Sequence, residues 1–197
     1  MKSKEFFGLM INPFIRIDGW QAFELGITFV ILTTLFGALG NVYFDGILDM
    51  HFVEKAIFTK SFIIQAINIF SLVSIMWMAG FFVSKNFRFI DILGTMTLAK
   101  APFLLLALAA LLTETPDLSQ IRQNPFSIFN STSFILLMLL SLPVLVWSIT
   151  LMFNALKVSC DARGSKLTIT FIIAIFIAEA VSKVLIYIII TNNYAMG

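Results

Sequence analysis

Apolar positions in this chain fall into five long runs, at about 22–40, 61–84, 89–112, 133–156 and 167–190, separated by shorter polar stretches. Each run holds about 19 to 24 residues, close to the roughly 20 that a helix needs to cross the hydrocarbon core of a bilayer. The pattern predicts an all-α fold: a polytopic integral membrane bundle of five transmembrane helices. An odd number of crossings puts the two termini on opposite sides. Residues 1–20 read differently. Their Phe, Ile and Met are broken by charges every few positions, with a turn at Asn12-Pro13 and Trp20 at the mouth of the first run. This predicts an N-terminal interfacial segment (1–20) ahead of a five-helix transmembrane domain (21–197). Because Glu5, Asn12, Pro13, Arg16 and Asp18 interrupt the apolar residues after Lys2 and Lys4, no cleavable signal is expected there.

The polar residues inside the runs need partners, because lipid supplies none. In the second run Ser61, Gln65, Asn68, Ser71 and Ser74 recur at spacings of three and four, which predicts one polar stripe facing protein or a polar cavity. The first run carries Thr33, Gly37 and Gly40, small residues that let helices approach closely. The third run has Lys100 near its middle and Pro102 two residues later, and the fourth has Pro143. As helix-kink candidates, Pro102 would free the carbonyl of Leu98 and Pro143 that of Leu139. The fifth run contains Glu179 and Lys183.

Depth selects a buried charge pair. At 1.5 Å per residue, Lys100 lies roughly 17 Å from Phe89 and Glu179 roughly 18 Å from Leu167. Each charge alone near the bilayer centre costs about 2.5–3.5 kcal/mol on insertion scales. Glu179 is therefore the expected counter-ion of Lys100. It is also spaced i, i+4 from Lys183, with the acid first, so it is a candidate partner for both lysines. A fastener between spans three and five is the favoured reading, ahead of a proton or ion relay. The connection 41–60 carries Asp45, Asp49, Glu54 and Lys55, and its Ile47, Met50, Ile57 and Phe58 suggest one face of a short surface helix.

Composition agrees with lipid exposure. Of 197 residues, 59% are hydrophobic and 12% charged, with 22 Phe. Mean hydropathy is +0.98. The net charge of +2 is too small to suggest nucleic acid, and it is better read as topology. Lys2, Lys4, Arg16, Lys85, Arg88, Lys157, Arg163 and Lys166 gather on one side, against Lys55, Lys60 and Arg122 on the other. The first side, with the N-terminus, is expected to be cytoplasmic.

One cysteine and one histidine cannot build a Cys/His metal site, and His51 with Glu54 lacks the second histidine of a metalloprotease helix. The chain has no GxSxG, phosphate loop or HExxH. Neither an enzyme nor a cofactor is expected. Cys160, in a basic loop, is a candidate for acylation.

The layout resembles the Yip (Ypt/Rab-interacting-protein) domain family of five-span membrane proteins. The residues that carry the likeness are Asn12-Pro13 before span one, Ala99 to Pro102 in span three, Trp147, and Ala155-Leu156-Lys157 at the exit of span four. Where eukaryotic members have Asp-Leu-Tyr-Gly-Pro before span one, this chain has Ile17-Asp18-Gly19-Trp20, and Gly94 lacks the family's adjacent tyrosine. The resemblance is to a prokaryotic-type member. For such members the family implies no settled biochemical activity; the surface-lying N-terminal segment and the lack of catalytic motifs favour a non-enzymatic protein, expected in the bacterial inner membrane, that scaffolds other membrane proteins, self-associates or shapes the bilayer. The alternative is a small transporter or channel that uses the buried Lys/Glu pair.

Overall fold

The computed structural model describes residues 3–114, 123–124, 126 and 131–191. Five helical stretches in it are long and apolar enough to cross a membrane: Gly19–Leu39, Phe58–Val83, Phe89–Leu111, Thr132–Ser159 and Ser165–Ile190. These bounds follow the five apolar runs closely.

The elements in order are α1 (Ser3–Ile11), a 3-10 turn (Pro13–Ile15), α2 (Gly19–Leu39), β1 (Val42–Tyr43), β2 (His51–Phe52), α3 (Phe58–Val83), α4 (Phe89–Leu98), α5 (Phe103–Leu111), α6 (Thr132–Ser159) and α7 (Ser165–Ile186), closed by a π-turn (Tyr187–Thr191). Inside the bundle α2 packs along α4 and α5, α3 packs along α7, and α6 rests on α4 and α5. The central stretch Phe89–Leu111 is the most enclosed of the five, with 67% of its apolar window buried. It packs against α2, α3 and α6.

The α2–α4 crossing depends on missing side chains. A Cβ on Gly94 would lie 2.1 Å from Gly19 O, and one on Gly26 would lie 2.5 Å from Leu98 N. Backbones therefore touch at this crossing, and only glycine allows it. Farther along the first span, Thr33 is buried, Gly37 faces the Phe44 ring and Gly40 faces Ala110, as its small residues suggested.

The N-terminal segment lies against α6. Trp147 Nε1 donates to Met10 O at 2.8 Å, and Asn154 Nδ2 donates to Ile11 O at 3.0 Å. Phe14 is buried between, while Phe7, Ile11 and Ile15 remain exposed. Trp20 is 65% exposed at the start of α2, where an aromatic belt residue stands.

Two expectations need correction. First, the third span is two helices. α4 ends at Leu98 and α5 begins at Phe103, with Lys100 in the break. The carbonyl that Pro102 was expected to free is taken locally, as Leu98 O accepts from Ala101 N at 2.9 Å. Ala99 O accepts from Ser148 Oγ on α6, also at 2.9 Å. Pro143, by contrast, lies within the single helix α6. Second, the connection after α2 forms no surface helix. Val42 pairs with Phe52 and Tyr43 with His51 in an antiparallel ladder. The turn between these strands carries Ile47 into the bundle, where it is wholly buried. Of the four apolar residues that suggested a helical face, Ile47 enters the bundle, Met50 is half-buried, and Ile57 and Phe58 stay exposed.

Candidate functional site

The inserted loop, Asp45-Gly46-Ile47-Leu48-Asp49, meets the charges of the spans. Lys100 is 2% exposed. Its ammonium donates to Ile47 O and lies 4.0 Å from the centre of the Phe103 ring. Glu179 Oε2 accepts from Ile47 N at 2.7 Å and from Leu48 N at 3.0 Å. One residue, Ile47, thus stands between the two, with its carbonyl on the ammonium and its amide on the carboxylate. The structure brings Lys100 and Glu179 together through this peptide group and not as a direct ion pair. Both groups meet the same residue, and the loop that carries it had no place in an argument from depth alone.

Gly46 is what lets the carboxylate in. A Cβ there would fall 2.3 Å from Glu179 Oε1. Successive amides turned toward one anion make a concavity that stabilises negative charge, and glycine beside them keeps the approach open. The bonds to Lys100 and Glu179 are charge-assisted, so each is stronger than an ordinary amide–carbonyl bond.

Lys183 also takes part, on the exposed side. Its Nζ is 2.6 Å from Asp49 Oδ2 and 3.7 Å from Glu179 Oε1. The predicted i, i+4 contact is present, yet the shorter bond goes to the loop. Asp45 lies 2.9 Å from His51 Nδ1 across the turn. Burial alone would raise the Asp45 carboxyl; His51 by hydrogen bond and charge, with Lys183, outweighs it and holds the group below its ordinary value.

The polar stripe of α3 holds the loop from a third direction. Asn68 Nδ2 donates to Phe44 O at 2.5 Å and to Gln65 Oε1 at 3.1 Å, and Ser182 Oγ of α7 donates to Asn68 Oδ1. Ser61 Oγ turns back on its own helix, to Ile57 O. Ser71 Oγ is buried without a hydrogen-bond partner among the described residues, and Ser74 is half-buried. Only Gln65 and Asn68 of the stripe therefore join the site. Pro102 sits one turn from it, at the break, and exposed Pro143 lies outside it.

Sequence reasoning missed Gly46, Ile47, Asp49, Ser148 and Ser182. The one available signal was a glycine between two acids in a stretch otherwise rich in apolar residues. Cys160 needs the opposite correction. It is 1% exposed in the main core, and burial pushes its thiol up to about 11. A covered, protonated thiol is a poor acyl acceptor.

No known protein family, curated protein or solved structure matches this chain.

Proposed function

We propose that this chain is an integral membrane protein of the bacterial inner membrane, N-terminus inside, and that it works as a non-enzymatic, Yip-like scaffold. Support for insertion comes from the five apolar helices and from exposed Phe, Leu and Ile along their outer faces, among them Phe70, Phe82, Leu142 and Phe176. Lys/Arg excess in the loops at the Arg16, Lys85, Lys157 and Arg163 end supports the orientation.

The observation that carries the scaffold reading is the state of the central charges. Lys100 and Glu179 are both occupied by the backbone of the chain's own loop. A group in a conduction path must exchange partners easily, whereas these two clamp a segment that joins spans three, five and two. The arrangement makes a stiff bundle that offers its outer faces to lipid and to other membrane proteins. Reconstitution into liposomes tests it. The scaffold reading expects no flux of ions or small solutes, with stable self-association or partner capture from the membrane. Flux abolished by Lys100→Met would overturn it in favour of transport.

A further inference from the structure

We propose that the outer groove between α3 and α7 holds one phospholipid with an anionic headgroup, its phosphate at Lys166 and an acyl chain along the groove. The groove has a volume of about 280 Å³. Ile75, Met78 and Phe82 of α3 form one wall, and Thr170, Ile173 and Ile177 of α7 form the other. Ala79 and Ala174 make its floor, where both are buried. Their side chains are single methyl groups, while Met78, Phe82, Ile173 and Ile177 stand exposed on either side, so the two helices leave a trough. From Thr170 to Ile177 it runs roughly 10 Å along α7, at 1.5 Å per residue. Thr170 is the one polar residue in this lining.

The polar groups lie at one end of the trough, in a definite order. Lys166, Thr170, Ile173 and Ile177 recur at spacings of three and four, so they share one stripe of α7. Lys166 therefore stands one turn before Thr170, at the mouth of the same trough. Lys85 follows just past the end of the α3 wall, which closes at Val83. Both lysines are exposed, and neither has an ion pair or hydrogen bond among the described residues. Such juxtamembrane cations attract anionic lipid headgroups. Thr170 supplies a second grip. Thr28, Thr34, Thr95, Thr97 and Thr150 each donate to the carbonyl four residues back on their own helix. Thr170 makes no such bond among the described residues, although it lines an apolar trough. Its O–H is left to donate to a ligand, roughly 6 Å deeper than Lys166. Cation, hydroxyl donor and apolar wall thus succeed one another as phosphate, ester carbonyl and acyl chain do in a phospholipid.

This inference rests on the membrane reading above. Fractionation of the full chain with membranes tests that reading on its own, so a failure to hold lipid remains separate from it. The lipid experiment is native mass spectrometry of the full chain in micelles holding equal amounts of phosphatidylglycerol, phosphatidylethanolamine and phosphatidylcholine. The expected result is one retained lipid per chain, with the anionic glycerol form favoured over the two zwitterionic forms by about fivefold, the preference that one juxtamembrane lysine supplies. The double variant Lys85→Gln, Lys166→Gln should remove that preference. Thr170→Val keeps the shape of the side chain without its hydroxyl and should lower retention of all three lipids. Ile173→Trp should fill the trough from its exposed wall and abolish retention. Thermal melts of each variant confirm that it is folded. Equal retention of the three lipids by the parent, no lipid held by the folded parent, or retention unchanged in a folded Thr170→Val or Ile173→Trp variant would each overturn the proposal. So would a lipid-free dimer that Ile173→Trp breaks, which would give the trough to a second copy of the chain.

Discussion

Replacing Glu179 with alanine tests the loop clamp most directly. The substitution removes the acceptor of two backbone amides, Ile47 N–H and Leu48 N–H. A buried donor left without a partner costs about 1–3 kcal/mol, so two cost about 2–6 kcal/mol. Glu179 keeps 19% of its side chain exposed, and water reaching the vacated space brings the expected loss to the lower half of that range. Lys100 also loses its nearby negative charge. Both amides donate to the same oxygen, Oε2, so the carbonyl oxygen of Glu179→Gln can accept both, and this variant should lose less than Glu179→Ala, chiefly the charge assistance. The assay is unfolding of the purified chain in mixed micelles titrated with sodium dodecyl sulfate, followed by far-ultraviolet circular dichroism. A stability for Glu179→Ala within about 0.5 kcal/mol of the parent, the range of an inconsequential surface change, would refute the clamp. The charge-swapped double variant Lys100→Glu, Glu179→Lys should rescue neither single change. Ile47 has a fixed polarity: a lysine at 179 would face two N–H donors, and a glutamate at 100 would face a carbonyl. A double variant as stable as the parent would mean that the two charges pair directly.

Gly46→Ala places a methyl group 2.3 Å from Glu179 Oε1, and the overpacking should cost about 1–3 kcal/mol in the same assay. Lys183→Gln should cost less than about 1 kcal/mol, because the side chain is 46% exposed and water screens its pairs; a larger loss would make it part of the buried clamp. Asp45 has a carboxyl value below its ordinary 3.8 in the folded chain, so its contribution is fully present above that pH and fades as pH falls below it. Melting temperatures of the parent and Asp45→Asn should therefore differ at pH 6 and converge toward pH 3; a constant difference contradicts this. Cys160 should resist a membrane-permeable maleimide in the folded chain and react after denaturation. Rapid labelling of the native protein would contradict its burial.

The five span-length stretches, their bounds to within about three residues and the burial of Lys100 were legible in the sequence, whereas Lys183, a candidate for the same buried cluster, is 46% exposed. The physical reason is that crossing length, small-residue crossings and uncompensated charge are local properties of a segment. Lys100 and Glu179 stood out because lipid offers nothing to either. What the tertiary structure decided is what lies between them. Ile47 reads as one more apolar residue in a connection, and its amide and carbonyl are groups that every residue has. Nothing in the pattern says that this peptide group, 53 positions from Lys100 and 132 from Glu179, satisfies both. Backbone partners carry no sequence signature, so the chain announced which charges needed neutralising, and only the packed bundle determined that its own loop would do it.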